Sequence, residues 1–94
     1  MDAEELSEKI MAEKVAVFGD KVSVSGMDID TAAEIRDTVD ALIPAEQYDG
    51  YIVLDGECIV FRRGRKFSVI AVVEEDRTRW CLNKMREIFG NDGS

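Results

Sequence analysis

The chain has 94 residues, 46% of them hydrophobic and 34% charged, with a formal net charge of −8 at pH 7. That length supports one domain, and that composition excludes a disordered chain. An acidic balance is repelled by phosphate backbones and anionic membrane surfaces, which sets nucleic acid aside and favours partners with a basic patch.

From the N-terminus, Leu6, Ile10 and Met11 among charged residues predict a short helix over 2–13 with a narrow apolar stripe. Residues 14–18 and 21–25 read as a hairpin around Gly19 and Asp20. A two-residue loop there sets Val17 opposite Val22 and Val15 opposite Val24 on one apolar face. Ala16, Phe18, Lys21, Ser23 and Ser25 then share a wetter face, so the second strand reads as a sheet edge. Gly26 ends that strand, and Asp28 or Asp30 caps the next helix. Over 31–43 the spacing predicts that helix, with Ala32, Ile35, Val39, Leu42 and Ile43 in its core stripe and Pro44 as its stop. Its opposite surface carries Ala33, Glu34, Asp37, Asp40 and Ala41, where the small residues leave room for another helix.

The stretch 50–73 reads as a three-stranded antiparallel meander. Asp55-Gly56 between β-branched and aromatic runs is a strong hairpin signal, because a type I′ turn needs positive φ at both central positions. Gly64 marks the second reversal. The first turn sets Val53 opposite Cys58 and Tyr51 opposite Val60 on one face, with Ile52 and Ile59 on the other. Both faces are apolar, so the sheet must be covered on both sides. Glu74, Glu75 and Asp76 then lead into a last helix over 78–89. Cys81, Leu82, Met85, Ile88 and Phe89 point inward, Trp80 sits beside that stripe, Gly90 is the stop and 91–94 fray. The order α-β-β-α-β-β-β-α gives a single α+β domain over 1–94, five antiparallel strands with helices on both faces.

Chemistry is sparsely spelled. There is no histidine, and the two cysteines lack metal-site spacing, so a zinc centre, a disulfide framework and a nucleophilic triad are all excluded. No glycine-rich phosphate loop follows a strand, and Asp28 and Asp30 lack the other ligands of a calcium loop. The carboxylates stand in polar surroundings rather than apolar ones that would tune them for acid/base work. The reading is a protein that is not an enzyme and has no cofactor and no metal. An acidic N-terminus and the lack of any transmembrane-length run predict a cytoplasmic protein without membrane insertion. The one basic cluster, Arg62-Arg63-Gly64-Arg65-Lys66, reads as a hairpin tip that is solvated or meets the chain's own acidic helix.

Tyr51, Ile52, Val53 and Leu54 weigh most. This strand opens the meander, has one neighbour by connectivity and carries no charge or proline, so its free edge is a pairing template. The same strand of a second copy can pair with it about a two-fold axis.

The element order, together with the run from Asp55 through Arg77 and the last helix, resembles the roadblock family, the group related to dynein light chains. The resemblance covers nearly the whole chain. It implies a profilin- or longin-like sheet in the order 2-1-5-4-3, with the middle helix on one face and the terminal helices on the other. It also implies a homodimer whose third strands pair into a continuous sheet and whose middle helices lie side by side. The seam then falls on Tyr51, Ile52, Val53 and Leu54 with Ala33, Asp37, Asp40 and Ala41. Family members act as dimeric platforms for small Ras-like GTPases or as motor and scaffold subunits, so an adaptor that regulates such a GTPase is expected. Glu34 and Trp80 are the candidate partner-binding residues. The alternative is a ligand-sensing domain with a pocket between sheet and middle helix, lined by Phe18, Ile35 and Phe67.

Overall fold

A computed structural model describes residues 2–43, 48–54, 56–64 and 67–89 of the chain. Pro44 as a stop, Asp55 as a turn residue, Arg65 and Lys66 of the basic cluster, Gly90 and the tail 91–94 lie outside the described residues. The elements are α1 (Ala3–Ile10), β1 (Lys14–Phe18), β2 (Val22–Ser25), α2 (Ile29–Leu42), β3 (Tyr48–Leu54), β4 (Glu57–Arg63), β5 (Ser68–Val73), a 3₁₀ turn (Glu75–Arg77) and α3 (Thr78–Phe89). The five strands form one antiparallel sheet in the order β2-β1-β5-β4-β3. This is an α+β fold with the strand order that the roadblock resemblance implies.

Alternation along the strands divides the core in two. Val15, Val60, Val69 and Ala71 face Leu6 and Ile10 of α1 and Cys81 and Met85 of α3. Ala16, Phe18, Ile59, Phe61 and Ile70 face Ala32 and Val39 of α2. Each fully buried aliphatic side chain contributes about 1.5–3 kcal/mol, so neither face is stable uncovered.

Local chemistry sets the helix limits. Asp2 caps α1, its Oδ1 accepting from the Glu5 N–H at 2.8 Å. α1 stops at Ile10 because Met11 enters the left-handed region at φ 55°, ψ 43°, where its N–H donates to the Ser7 carbonyl. The helix is therefore shorter than expected, and Met11 leaves the apolar stripe and is 60% exposed. Asp28, rather than Asp30, caps α2 through a 2.7 Å bond from the Thr31 N–H. Leu42 also departs from expectation and is 59% exposed. The inward line of α2 runs through Ala32, Val39 and Ile43, and the Arg36 guanidinium takes one flank by stacking 4.5 Å from the Phe18 ring centroid.

The β3–β4 register is as expected: Tyr51 pairs with Val60, Ile52 with Ile59 and Val53 with Cys58. Gly56 at the turn has φ +81°. The first hairpin differs. Phe18 pairs with Val22 and Ala16 with Val24, across a three-residue loop closed by the Gly19 N–H donating to the Lys21 carbonyl at 3.2 Å. Val22 and Val24 thus share the α2 face with Ala16 and Phe18, while Ser23 and Ser25 lie with Val15 and Val17. One extra loop residue flips the whole strand. Ser23 belongs on that face because its hydroxyl accepts from the Ala3 N–H at 2.8 Å, satisfying a donor at the start of α1. β2 is an edge strand, as expected.

Gly26 closes β2 at φ +76°, and a Cβ there would run into the Glu13 backbone carbonyl. Backbone cannot yield as a flexible side chain does. Gly26→Ala is expected to cost at least about 2 kcal/mol, from a disfavoured φ plus the displacement of the α1–β1 connection. A urea melt with an unchanged slope and a lowered midpoint would show it; a midpoint equal to the parent's would contradict the account.

Candidate interaction surface

β3 closes the sheet, and no described strand lies on its outer side. In an antiparallel edge strand, alternate residues turn both backbone groups away from the single neighbour, leaving donors and acceptors for another chain. Tyr51 and Val53, on the α3 side of the sheet, are 57% and 60% exposed. Ile52 points the other way and packs half-buried against the α2-side core. Leu54 completes the strand. β3 is longer than expected, beginning at Tyr48, so a charge at Asp49 and a glycine at Gly50 blunt its first half. The uncharged row starts at Tyr51.

Two ionic clusters hold that first half in place. On the α2 side, Asp40 Oδ1 accepts from the Tyr48 hydroxyl at 2.8 Å and from Arg63 at 3.1 Å. On the α3 side, Arg86 grips Asp49 with two bonds of 2.9 Å, and Arg62, directly opposite Asp49 in the register, adds a third at 3.3 Å. The Arg86 guanidinium holds the Asp49 carboxyl below the usual carboxylate range against the cost of partial burial, and Arg86 is itself shifted up. Burial, then the bond to Asp40, raises the Tyr48 hydroxyl. Arg62 and Arg63 are thus taken up within the chain, as a hairpin tip meeting its own acidic groups.

None of Tyr48, Asp49 and Arg86 figures among the candidate residues read from the sequence. The signal for Asp49 was present. The register that sets Val53 opposite Cys58 also sets Asp49 opposite Arg62, once the strand is continued past Gly50. The contribution of Arg86 needs the placement of α3 and has no local signature.

On α2, Glu34, Asp37 and Ala41 are exposed and Ala33 is half-buried, whereas Asp40 is half-buried and held by Tyr48 and Arg63. Asp37 meets only its neighbour Arg36, at 3.2 Å. The helix carries four carboxylates against one guanidinium, so this side of the molecule is acidic. An open groove of about 560 Å³ runs between α2 and the sheet, with Ile35, Ile59 and Val72 in its floor and Glu34 and Asp37 on its rim. Trp80 is 43% exposed at the start of α3, on the opposite face from Glu34, so the two candidate partner-binding residues do not share a surface.

The expected ligand pocket is not formed by its proposed lining. Phe18 and Ile35 belong to the α2-side core, but Phe67 lies on the other face, its ring centroid 5.0 Å from that of Phe89. The space between α2, Tyr48 and Phe61 is about 10 Å³, scarcely room for a water molecule. Cys81 is buried and its thiol is pushed up to about 11 by desolvation, which makes it a poor nucleophile. Among the described residues, no three metal-ligating side chains gather and no helix is long and apolar enough to cross a membrane.

Fold and surface together define a small α+β protein with an open sheet edge, an acidic helix beside it and side-chain clusters that brace the edge strand. No family model matches the chain. Over 89 residues it is 43% identical to an uncharacterized protein of Archaeoglobus fulgidus, in an alignment covering 95% of this chain and 97% of the relative. The chain belongs to the same family as that archaeal protein. Among solved structures it is similar to Myxococcus xanthus MglB, with a TM-score of 0.48 and 13% identity over 90% of this chain and 89% of that one.

Asp49→Asn tests the bracing. The folded-state carboxyl is depressed, so its contribution is present above the unfolded value near 4 and disappears as pH falls through the lower folded one. At pH 7 the variant is expected to be about 1–2 kcal/mol less stable, the half-exposed Arg86 end being screened by solvent. The gap should narrow below about pH 4. Denaturant melts at pH 7 and pH 3 check both; a gap that does not change with pH would refute the ionic account.

Proposed function

We propose that this chain is a homodimeric adaptor of roadblock type, a single domain over 1–94 that works in the cytoplasm. In this reading it binds and regulates a small Ras-like GTPase and performs no reaction of its own. The observation that carries the reading is the open edge of β3, where Tyr51 and Val53 stay exposed at the end of a sheet of order 2-1-5-4-3. Pairing two such edges about a two-fold axis satisfies the backbone groups of both and covers both apolar rows.

The proposed seam comprises Tyr51, Ile52, Val53 and Leu54 together with Ala33, Asp37, Asp40 and Ala41. The exposed Ala41 and Leu42 at the end of α2 add apolar area beside it. Asp40 contributes indirectly, by fixing Tyr48. Glu34, exposed on α2 outside that seam, then contributes to an acidic face of the dimer, complementary to a GTPase surface rich in Lys or Arg. Regulation follows if that face contacts the two states of the switch loops unequally, since only differential affinity moves an equilibrium.

Light scattering at micromolar concentration is expected to give twice the chain mass. Val53→Asp is expected to give a folded monomer, because Val53 is exposed within one chain and a charge buried at a seam costs several kcal/mol, roughly 2–7 by the transfer of polar groups. Ile52→Arg discriminates less well, since Ile52 also packs in the α2-side core. A monomeric parent protein would overturn the dimer. Candidate small GTPases that neither bind the dimer nor change their hydrolysis rate in its presence would overturn the GTPase assignment alone.

A further inference from the structure

The end of the sheet opposite the ionic clusters carries a second surface, built from neither the free edge of β3 nor α2. Here the start of β1, the start of β4 and the end of β5 bound a cleft of about 390 Å³, with Met11 and Arg77 at its mouth. Three side chains form a ladder beside it. An Arg77 guanidinium nitrogen lies 3.3 Å from Met11 Sδ, and the same guanidinium stacks 5.4 Å from the Trp80 ring centroid. Met11 and Trp80 are nevertheless 60% and 43% exposed.

Met11 is unusual in a second respect. It occupies the left-handed helix terminus, at φ 55°, a position that suits glycine and disfavours a side chain. The fold therefore holds a large flexible apolar group in solvent at a strained backbone position. Methionine, tryptophan and arginine are the residue types enriched where proteins bind one another.

The charges around the cleft are one-sided. Glu13, Glu57, Glu74 and Glu75 line it against Lys14 and Arg77. Lys14 is paired with Glu57 at 3.8 Å, and Arg77 keeps its charge but is held against Met11 and Trp80, so four carboxylates face two cations. No described cation pairs with the carboxylates of Glu13, Glu74 and Glu75.

We propose that this pole is a docking surface for a protein segment that bears Lys or Arg next to a large apolar side chain. The apolar group would lie against Met11 and Trp80, and the cation would enter the cleft between Glu13, Glu74 and Glu75. The proposal is independent of the dimer and of the GTPase reading.

Trp80 is the sole tryptophan, so its emission reports on the site directly. The probe is a synthetic amphipathic peptide of leucine and lysine, with a leucine and glutamate peptide of equal length as control. The lysine peptide is expected to shift the Trp80 emission saturably, with an affinity that falls as salt rises. Glu74→Lys with Glu75→Lys should weaken binding about tenfold or more, as loss of two charge contacts predicts. Met11→Gly suits its backbone, so its thermal midpoint should equal or exceed the parent's while the affinity drops about fivefold. Asp20→Lys with Glu87→Lys, both exposed and away from the cleft, changes the net charge equally and should leave the affinity within about twofold.

An unmoved spectrum would overturn the proposal. So would equal binding of the glutamate peptide, a folded Met11→Gly that binds at full strength, or a charge reversal at Asp20 and Glu87 as damaging as that at Glu74 and Glu75.

Discussion

Ile59 and Phe61 of β4 point to one side of the sheet, Val60 to the other, and all three are buried. β4 also has a strand on each side, so it is enclosed in every direction. That enclosure dictates the layers. α2 has to cover one face and α1 with α3 the other, the three α-helices that the described residues supply. The sheet's two end strands each keep one side with no described partner strand. β2 is four residues long and is tied to α1 by the Ser23 hydroxyl, which accepts from the Ala3 N–H. β3 is seven residues long and keeps Tyr51 and Val53 in solvent, which is why the binding reading begins there.

The molecule handles charge in a related way. Arg62 and Arg63 of β4 and Arg86 of α3 are spent inside the chain, Arg63 on Asp40 and Arg62 with Arg86 on Asp49. The surplus carboxylates of α2 and of the Glu74–Glu75 turn are left facing water. An acidic exterior thus arises from where the cations are consumed, and it gives two separate regions a preference for positively charged partners.

Much of this architecture was legible in the sequence because one tight turn fixes so much. Once Asp55 and Gly56 define a two-residue loop, every pair from Leu54–Glu57 to Tyr48–Arg63 is set by counting. The first hairpin lacked such a pin. Gly19 and Asp20 offered a loop of two residues or, with Lys21, of three, and each choice aligned valines with apolar neighbours. Ser23 decided the matter through a bond to the Ala3 N–H, and a polar side chain used as an acceptor inside the fold looks in sequence like one facing water. Met11 and Leu42 failed for another reason: both stand at a helix end, where periodicity no longer fixes direction. Phe67 went astray because its side of the sheet is set by the β5 alternation with Val69 and Ala71, which the pocket expectation did not apply. The open edge was legible from the lack of charge in 51–54, whereas the Arg86 bridge required the packed helix.

Tyr48 and Asp49 are consecutive, and their side chains leave the strand in opposite directions, one moored to Asp40 of α2 and the other to Arg86 of α3. Both layers of the molecule are therefore moored to one pair of adjoining peptide units at the rim. A tug on that rim, from whatever grips it, cannot shift one layer without loading the other, so the two sides of this thin slab would feel the same touch.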